Sequence, residues 1–212
     1  MSNKGDEHTM NKATISFKSK KLGRIPSLNV PPVITCRADA PCRSLCYARK
    51  GTFNYDNVKK AHLQNYLAYN EDNAKFFNDI IATLNDDVII YKYFRWHMAG
   101  DIIDMNYLYG MVKVAKANPK TKFMAFTKKF ELVNMYLAVN KLPKNLTIIF
   151  SAWDKNFEIL NPHNLPVSYV DFKKKKINPT IPHDAKLCTG DCTTCKLCWN
   201  LKNGESVRFV QH

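Results

Sequence analysis

The chain's seven cysteines, and where they fall, constrain it more than any other feature. Three of them, Cys36, Cys42 and Cys46, lie within eleven positions of a segment that follows the β-branched run Val33-Ile34-Thr35. The other four, Cys188, Cys192, Cys195 and Cys198, are spaced C-x3-C-x2-C-x2-C. An odd count cannot pair completely within one chain. The polar start M-S-N-K-G-D-E-H is not signal-like and leads us to expect a cytoplasmic protein, where thiols stay reduced. Cysteines in that setting read as metal or redox ligands before they read as disulfides. Three thiolates can hold three irons of a 4Fe–4S cluster and leave the fourth iron open to a small molecule. Four cysteines this tightly spaced follow the ferredoxin pattern, in which a loop wrapping a cubane offers a thiolate every few residues. Zinc is the alternative for that second group, although its ligands are usually drawn from two separated knuckles. The bland alternative for the first group is three small core residues.

Composition sets the outer limits. A chain of 212 residues with 45% hydrophobic and 12% aromatic content can bury a real core in one domain, with or without a small appendage. No apolar run approaches the roughly 18 residues of a membrane span, so no membrane is expected. Thirty-two basic residues against 18 acidic give a net charge of +14, which makes nucleic acid an expected partner through non-specific attraction. The excess is scattered, however, and Lys173 to Lys176 reads as a solvated basic loop.

The periodicities point to a parallel α/β fold. Ala13 to Phe17 is expected to be a short strand, Gly23 to Pro32 an extended lead-in, and Val33 to Thr35 a strand end that opens into the first cysteine loop. Helical spacing runs from Asp56 to Asn70 and from Asn73 to Leu84. The run from Val88 to Arg95 is too apolar for a strand buried on one face and suits a parallel sheet. Asp104 can cap a helix to about Ala117, ended by Pro119. Strands at Lys122–Phe126, Thr147–Phe150 and Val167–Phe172, with a helix at Lys129–Asn140, complete a series of βαβ units. The expected organisation is a lead-in over residues 1–30, an α/β body over 31–180 and a cysteine-rich module over 181–212.

Reactive groups in such folds gather at the carboxyl ends of parallel strands. Three ends are chemically rich: Arg95-Trp96-His97-Met98-Ala99-Gly100-Asp101, Thr127-Lys128, and Ser151-Ala152-Trp153-Asp154. Their clustering makes His97, Asp101 and Lys128 the candidate catalytic groups. A satisfied, partly buried histidine is the alternative for His97.

C-x5-C-x3-C-Y-A-R-K-G, F-R-W-H-x-A-G-D, K-F-x-A-F-T-K-K and the terminal C-x3-C-x2-C-x2-C-W together resemble the phage and mobile-element family called gene product 88, from about Pro32 to His212. That family is in turn similar to radical S-adenosylmethionine enzymes. The resemblance implies a partial (β/α) barrel, with Cys36, Cys42 and Cys46 holding a 4Fe–4S cluster and Cys188, Cys192, Cys195 and Cys198 an auxiliary one. It implies S-adenosylmethionine as a cofactor, contacted by Tyr47, Gly100, Asp101 and Ser151, and an electron donor as a partner. Two features depart from the radical-enzyme pattern. The usual cysteine spacing is C-x3-C-x2-C, and no paired glycine is present to bind the methionine amine, with Gly100-Asp101 as the stand-in.

Overall fold

The structure, a computed structural model, describes residues 11–85, 89–153, 157–172 and 181–210. Among them, eight strands form one sheet: β1 (Ile15–Ser16), β2 (Ser27–Leu28), β3 (Tyr93–Trp96), β4 (Lys122–Thr127), β5 (Leu146–Ser151), β6 (Val167–Asp171), β7 (Lys186–Leu187) and β8 (Ser206–Val210). The order across the sheet is β1-β2-β3-β4-β5-β6-β8-β7. Only β1 runs antiparallel to its neighbour; every other pairing is parallel.

From β2 to β6 the chain steps to the next strand in one direction. It crosses over through α1 (Asp56–Glu71) and α2 (Asn73–Leu84), then α3 (Met105–Ala117), then α4 (Phe130–Val139). Such crossovers share one hand, so successive helices fall on the same face. Strand alternation divides the side chains accordingly. Phe94 and Trp96, Phe123 and Ala125, and Ile148 and Phe150 join Phe76, Phe77, Tyr107, Met111 and Val133 of the helices in the main core. Helices α2 and α3 approach closely because residue 110 is glycine: a Cβ there would stand 2.0 Å from the Phe77 ring.

The opposite face is covered without long helices. Met124, Ile149 and Val207 form a second core with Leu22 from the lead-in and Trp199 and Leu201 from the cysteine-rich segment. That segment also supplies β8, which lies between β6 and β7 in the main sheet. One-directional winding agrees with the expected βαβ series. The edges β1 and β7 do not pair, so the sheet among the described residues is open.

Several expected bounds hold closely. Helices α1 and α2 lie where the spacing puts them, and the Asp104 Oδ1 accepts the Tyr107 N–H at 2.9 Å to cap α3. Others shift. The strand before the first cysteines is Ser27–Leu28, inside the expected lead-in, whereas Val33 to Thr35 is a turn. Pro31 and Pro32 offer no N–H to extend the pairing, and Val33 takes φ +74°, a conformation closed to a strand. The expected strand from Val88 shrinks to Tyr93–Trp96, because its neighbour β4 first pairs at Lys122, opposite Tyr93. Ile89 and Ile90 are exposed, and Val88 lies outside the described residues, as do Asp154 and the basic run from Lys173 to Lys176.

Candidate functional site

The first cysteine loop is held at the carboxyl edge of the sheet by hydrogen bonds made mostly to backbone. Asn29, just past β2, accepts the N–H groups of Met98 and Ala99 at 2.7 and 3.1 Å. The Thr35 hydroxyl donates to the Pro31 carbonyl at 2.9 Å and accepts the Asp101 N–H at 3.1 Å. Asp101 carries the connection onward, accepting from the N–H of Ile102 at 2.7 Å and of Lys128 at 3.0 Å. Arg37, beside Cys36, donates to the Lys128 carbonyl at 3.2 Å and to Glu131. Beyond Cys46, the Tyr47 hydroxyl donates to the Met98 carbonyl. The loop is thereby tied to the ends of β3 and β4.

These contacts define what each expected residue does. Asp101 is buried; desolvation raises its pKa, opposed by the hydrogen bonds from Lys128, Thr127 and Ile102. It acts as a junction between three loops. Gly100 has φ +82°, and a Cβ there would stand 2.6 Å from the Val30 carbonyl oxygen and 2.8 Å from the Thr35 hydroxyl. Glycine is required because the lead-in passes directly against it. Tyr47 is exposed along its ring, with its hydroxyl turned onto the Met98 carbonyl.

Lys128 and Ser151, at the ends of adjacent strands, are brought together: Nζ lies 2.7 Å from the serine Oγ and 5.7 Å from the centre of the Trp153 ring. His97 turns away from them into the helix-side core. Its φ is +56°, its ring is buried, and Nε2 is 3.1 Å from the Tyr107 hydroxyl. Burial, with Arg95 and Lys129 nearby, pushes its pKa down to about 3, so the imidazole is neutral across the physiological range. In this position His97 is a packed core group without access to the open edge.

The seven cysteines are all free thiols, each partly buried. Cys42 and Cys46 are close enough for their charges to bear on Cys36, whose pKa rises to about 11 through burial first and Asp101 second. Cys188, Cys192, Cys195 and Cys198 line one small pocket with Trp199, floored by Val207. Cys192 and Cys195 bracket a single helical turn, α5 (Cys192–Cys195), whose start is capped by Asp191. Trp199 anchors this segment by donating its indole N–H to the Phe94 carbonyl at 2.8 Å. The pocket's free space is about 10 Å³. Among the described residues, no group of three or more His, Cys, Asp or Glu side chains is drawn into a geometry that could hold a metal ion. The donor chemistry suits a thiophilic metal, and the thiols are gathered into two neighbourhoods short of ligation.

Arg95, which the sequence places in the first chemically rich strand end but outside the candidate catalytic groups, takes a position of its own. It points from the middle of β3 onto the face opposite the helices, over the Phe126 ring at 5.3 Å. It is 7% exposed, and its Nε has no hydrogen-bond partner. Asn29 and Thr35 were also illegible, because short polar residues in a proline-rich lead-in have no periodicity to mark them. A hollow of about 880 Å³ lies at the amino end of β5 between Val139, Lys144, His163 and Asn203, and none of the thiols lines it.

An open, mostly parallel α/β sheet carrying two separate thiol groups on one chain defines the class. The chain belongs to the gene product 88 family, matched over residues 2–201. It is similar to the Gene 88 protein of Mycobacterium phage L5, 28% identical over a 190-residue alignment, with 77% of each chain covered. No solved structure matches it. Among the described residues, no helix is long and apolar enough to cross a membrane.

Proposed function

We propose that the chain is an iron–sulfur protein of the radical S-adenosylmethionine type. Cys36, Cys42 and Cys46 would hold the 4Fe–4S cluster, and Cys188, Cys192, Cys195 and Cys198 a second, structural metal, either zinc or another cluster. The observation that carries this reading is the position of the three-thiol loop. It is pinned by Asp101 and Tyr47 to the carboxyl ends of β3 and β4, where parallel α/β sheets bind their ligands. A cluster with one open iron, reduced by an external electron donor, supplies the electron that cleaves S-adenosylmethionine.

The protein's own residues would do the rest. The Lys128 ammonium and Ser151 hydroxyl, already paired, offer a cation and a donor for a carboxylate at the mouth. Asp101 fixes the loop by accepting backbone N–H groups, and its carboxylate oxygens are thereby engaged. The winding of β2 through β6 favours a partial barrel as the frame. His97, buried on Tyr107, is better suited to support the β3 loop than to exchange protons with a substrate.

Anaerobic reconstitution followed by iron, sulfide and zinc quantitation tests the proposal. About four irons and four sulfides at the first group are expected for a cubane, with absorption lost in Cys42→Ala and perturbed on adding S-adenosylmethionine. A colourless protein with zinc alone would remove the radical reading. The net charge of +14 favours a second reading, in which the metals only staple loops of a nucleic-acid-binding protein. In that case duplex or single-stranded nucleic acid would bind with steep salt dependence, whether or not Cys42 is intact.

A further inference from the structure

We infer that Arg95 is the buried counter-cation of a thiolate–metal centre formed by Cys188, Cys192, Cys195 and Cys198, an inference that rests on the metal-binding reading above. The starting point is a buried charge with no ion pair among the described residues. A guanidinium cannot shed its proton, and a buried cation is retained only when paired. Arg95 is 7% exposed, its Nε is unpartnered, and no carboxylate among the described residues forms an ion pair with it. The Phe126 ring offsets part of the cost, and no more than part.

The missing anion is adjacent. Arg95 shares the sheet's non-helical face with the core formed by Met124, Trp199 and Val207, against which Cys188, Cys192 and Cys198 pack. Trp199 is fastened to the carbonyl of Phe94, the residue before Arg95. Phe126, over whose ring Arg95 lies, packs against that same core beside Cys188, Cys192 and Cys198. Four thiolates around a divalent ion carry a net negative charge, which a guanidinium held this close would complement. Arg95 is thus a positioning and charge-balancing residue for the metal, held by the strand and not by the metal segment itself.

The consequence is a reversal of sign between the loaded and unloaded protein. Without metal, Arg95 is a buried charge with no ion-pair partner among the described residues, and its removal stabilises. With metal, its removal weakens the centre. The full-length chain is titrated with Co²⁺, followed by thiolate-to-metal absorption, with Cys195→Ser assigning the signal to this group. Arg95→Met should bind Co²⁺ about 10- to 100-fold more weakly, the usual effect of losing an outer-shell partner. Its metal-free form should resist urea at least as well as the unaltered chain. Arg95→Lys, which keeps the charge, should recover most of the affinity. Unchanged Co²⁺ affinity in Arg95→Met overturns the inference, as does a metal-free Arg95→Met that is less stable or unfolded, or failure of Arg95→Lys to recover affinity. An unaltered chain with no Cys195-dependent Co²⁺ signal overturns the metal reading of this group as well.

Discussion

The two cysteine groups are built by different physics. The first is a loop without a core: Cys36 to Cys46 bury little apolar surface, and they are positioned by polar contacts from Asn29, Thr35, Arg37, Tyr47 and Asp101 to backbone groups at the strand ends. The second is laid on a hydrophobic floor of Met124, Ile149 and Val207, with Trp199 as its keystone. Hydrogen bonds specify where a loop sits but add only modest net stability. Apolar burial stabilises in proportion to area but is indifferent to exact position. A site that must present an open coordination position is served by the first arrangement, and one that must close over a metal by the second.

The sharpest way to break this comparison is to remove one thiol from each group in the metal-loaded protein. Cys195→Ala should cost several kcal/mol and release Trp199 and β8 from the sheet, because structural metal binding is itself folding free energy. Cys42→Ala should leave the urea midpoint almost unmoved while abolishing any ligand bound at the first centre. Equal losses in the two variants would mean that the groups form one shared centre.

Asp101→Ala tests the polar scaffold alone. It leaves the buried N–H groups of Ile102 and Lys128 without an acceptor, a loss of about 2–3 kcal/mol. Hydrogen exchange should accelerate at residues 35–46 and stay unchanged at residues 197–201. Equal acceleration in both stretches would show that the two regions are mechanically one.

The smallest effect belongs to pH. His97 has its folded pKa near 3, below the value of about 6.5 expected when unfolded. The unfolded chain therefore binds the extra proton first, and stability that is complete above pH 6.5 falls as pH drops toward 3. Between pH 7 and 5.5 the loss should be about 1 kcal/mol, with His62, also depressed by burial, adding in the same direction. His97→Asn, which tolerates the positive φ, should flatten most of the slope in urea titrations. An unchanged slope would place the imidazole in contact with water.

What the sequence made legible follows from what has a period. Helices α2 and α3 and strands β4, β5 and β6 carry apolar repeats and lie within a residue or two of the expected bounds, as does α1 on a more polar face of His62, Asn65, Ala68 and Tyr69. The gathering of Asp101, Lys128 and Ser151 with the first cysteines at one edge follows from the rule of strand ends, which needs only the order of elements. Strand β1 falls inside the expected Ala13 to Phe17, whereas the two-residue β2 has no room for a repeat, and the β-branched Val33-Ile34-Thr35 carries a stronger strand signal than Ser27–Leu28. His97 lies in the helix-side core, a placement that residue type and neighbours in sequence do not reveal. The burial of Arg95 is hidden for the same reason: it becomes visible only when packing from distant segments can be inspected.

The place of β8 between β6 and β7 has a further consequence for how the chain is made. Strand β7 pairs with β8 and β8 with β6, so β7 has no docking edge until residues beyond it have been synthesised. During translation the β6 edge stays open while some forty later residues, all four C-terminal cysteines among them, leave the ribosome. Exposed parallel edges invite pairing with other chains. The nascent protein thus passes through an interval in which its sheet is complete on one side and unguarded on the other, and the arrival of Ser206–Val210 closes it.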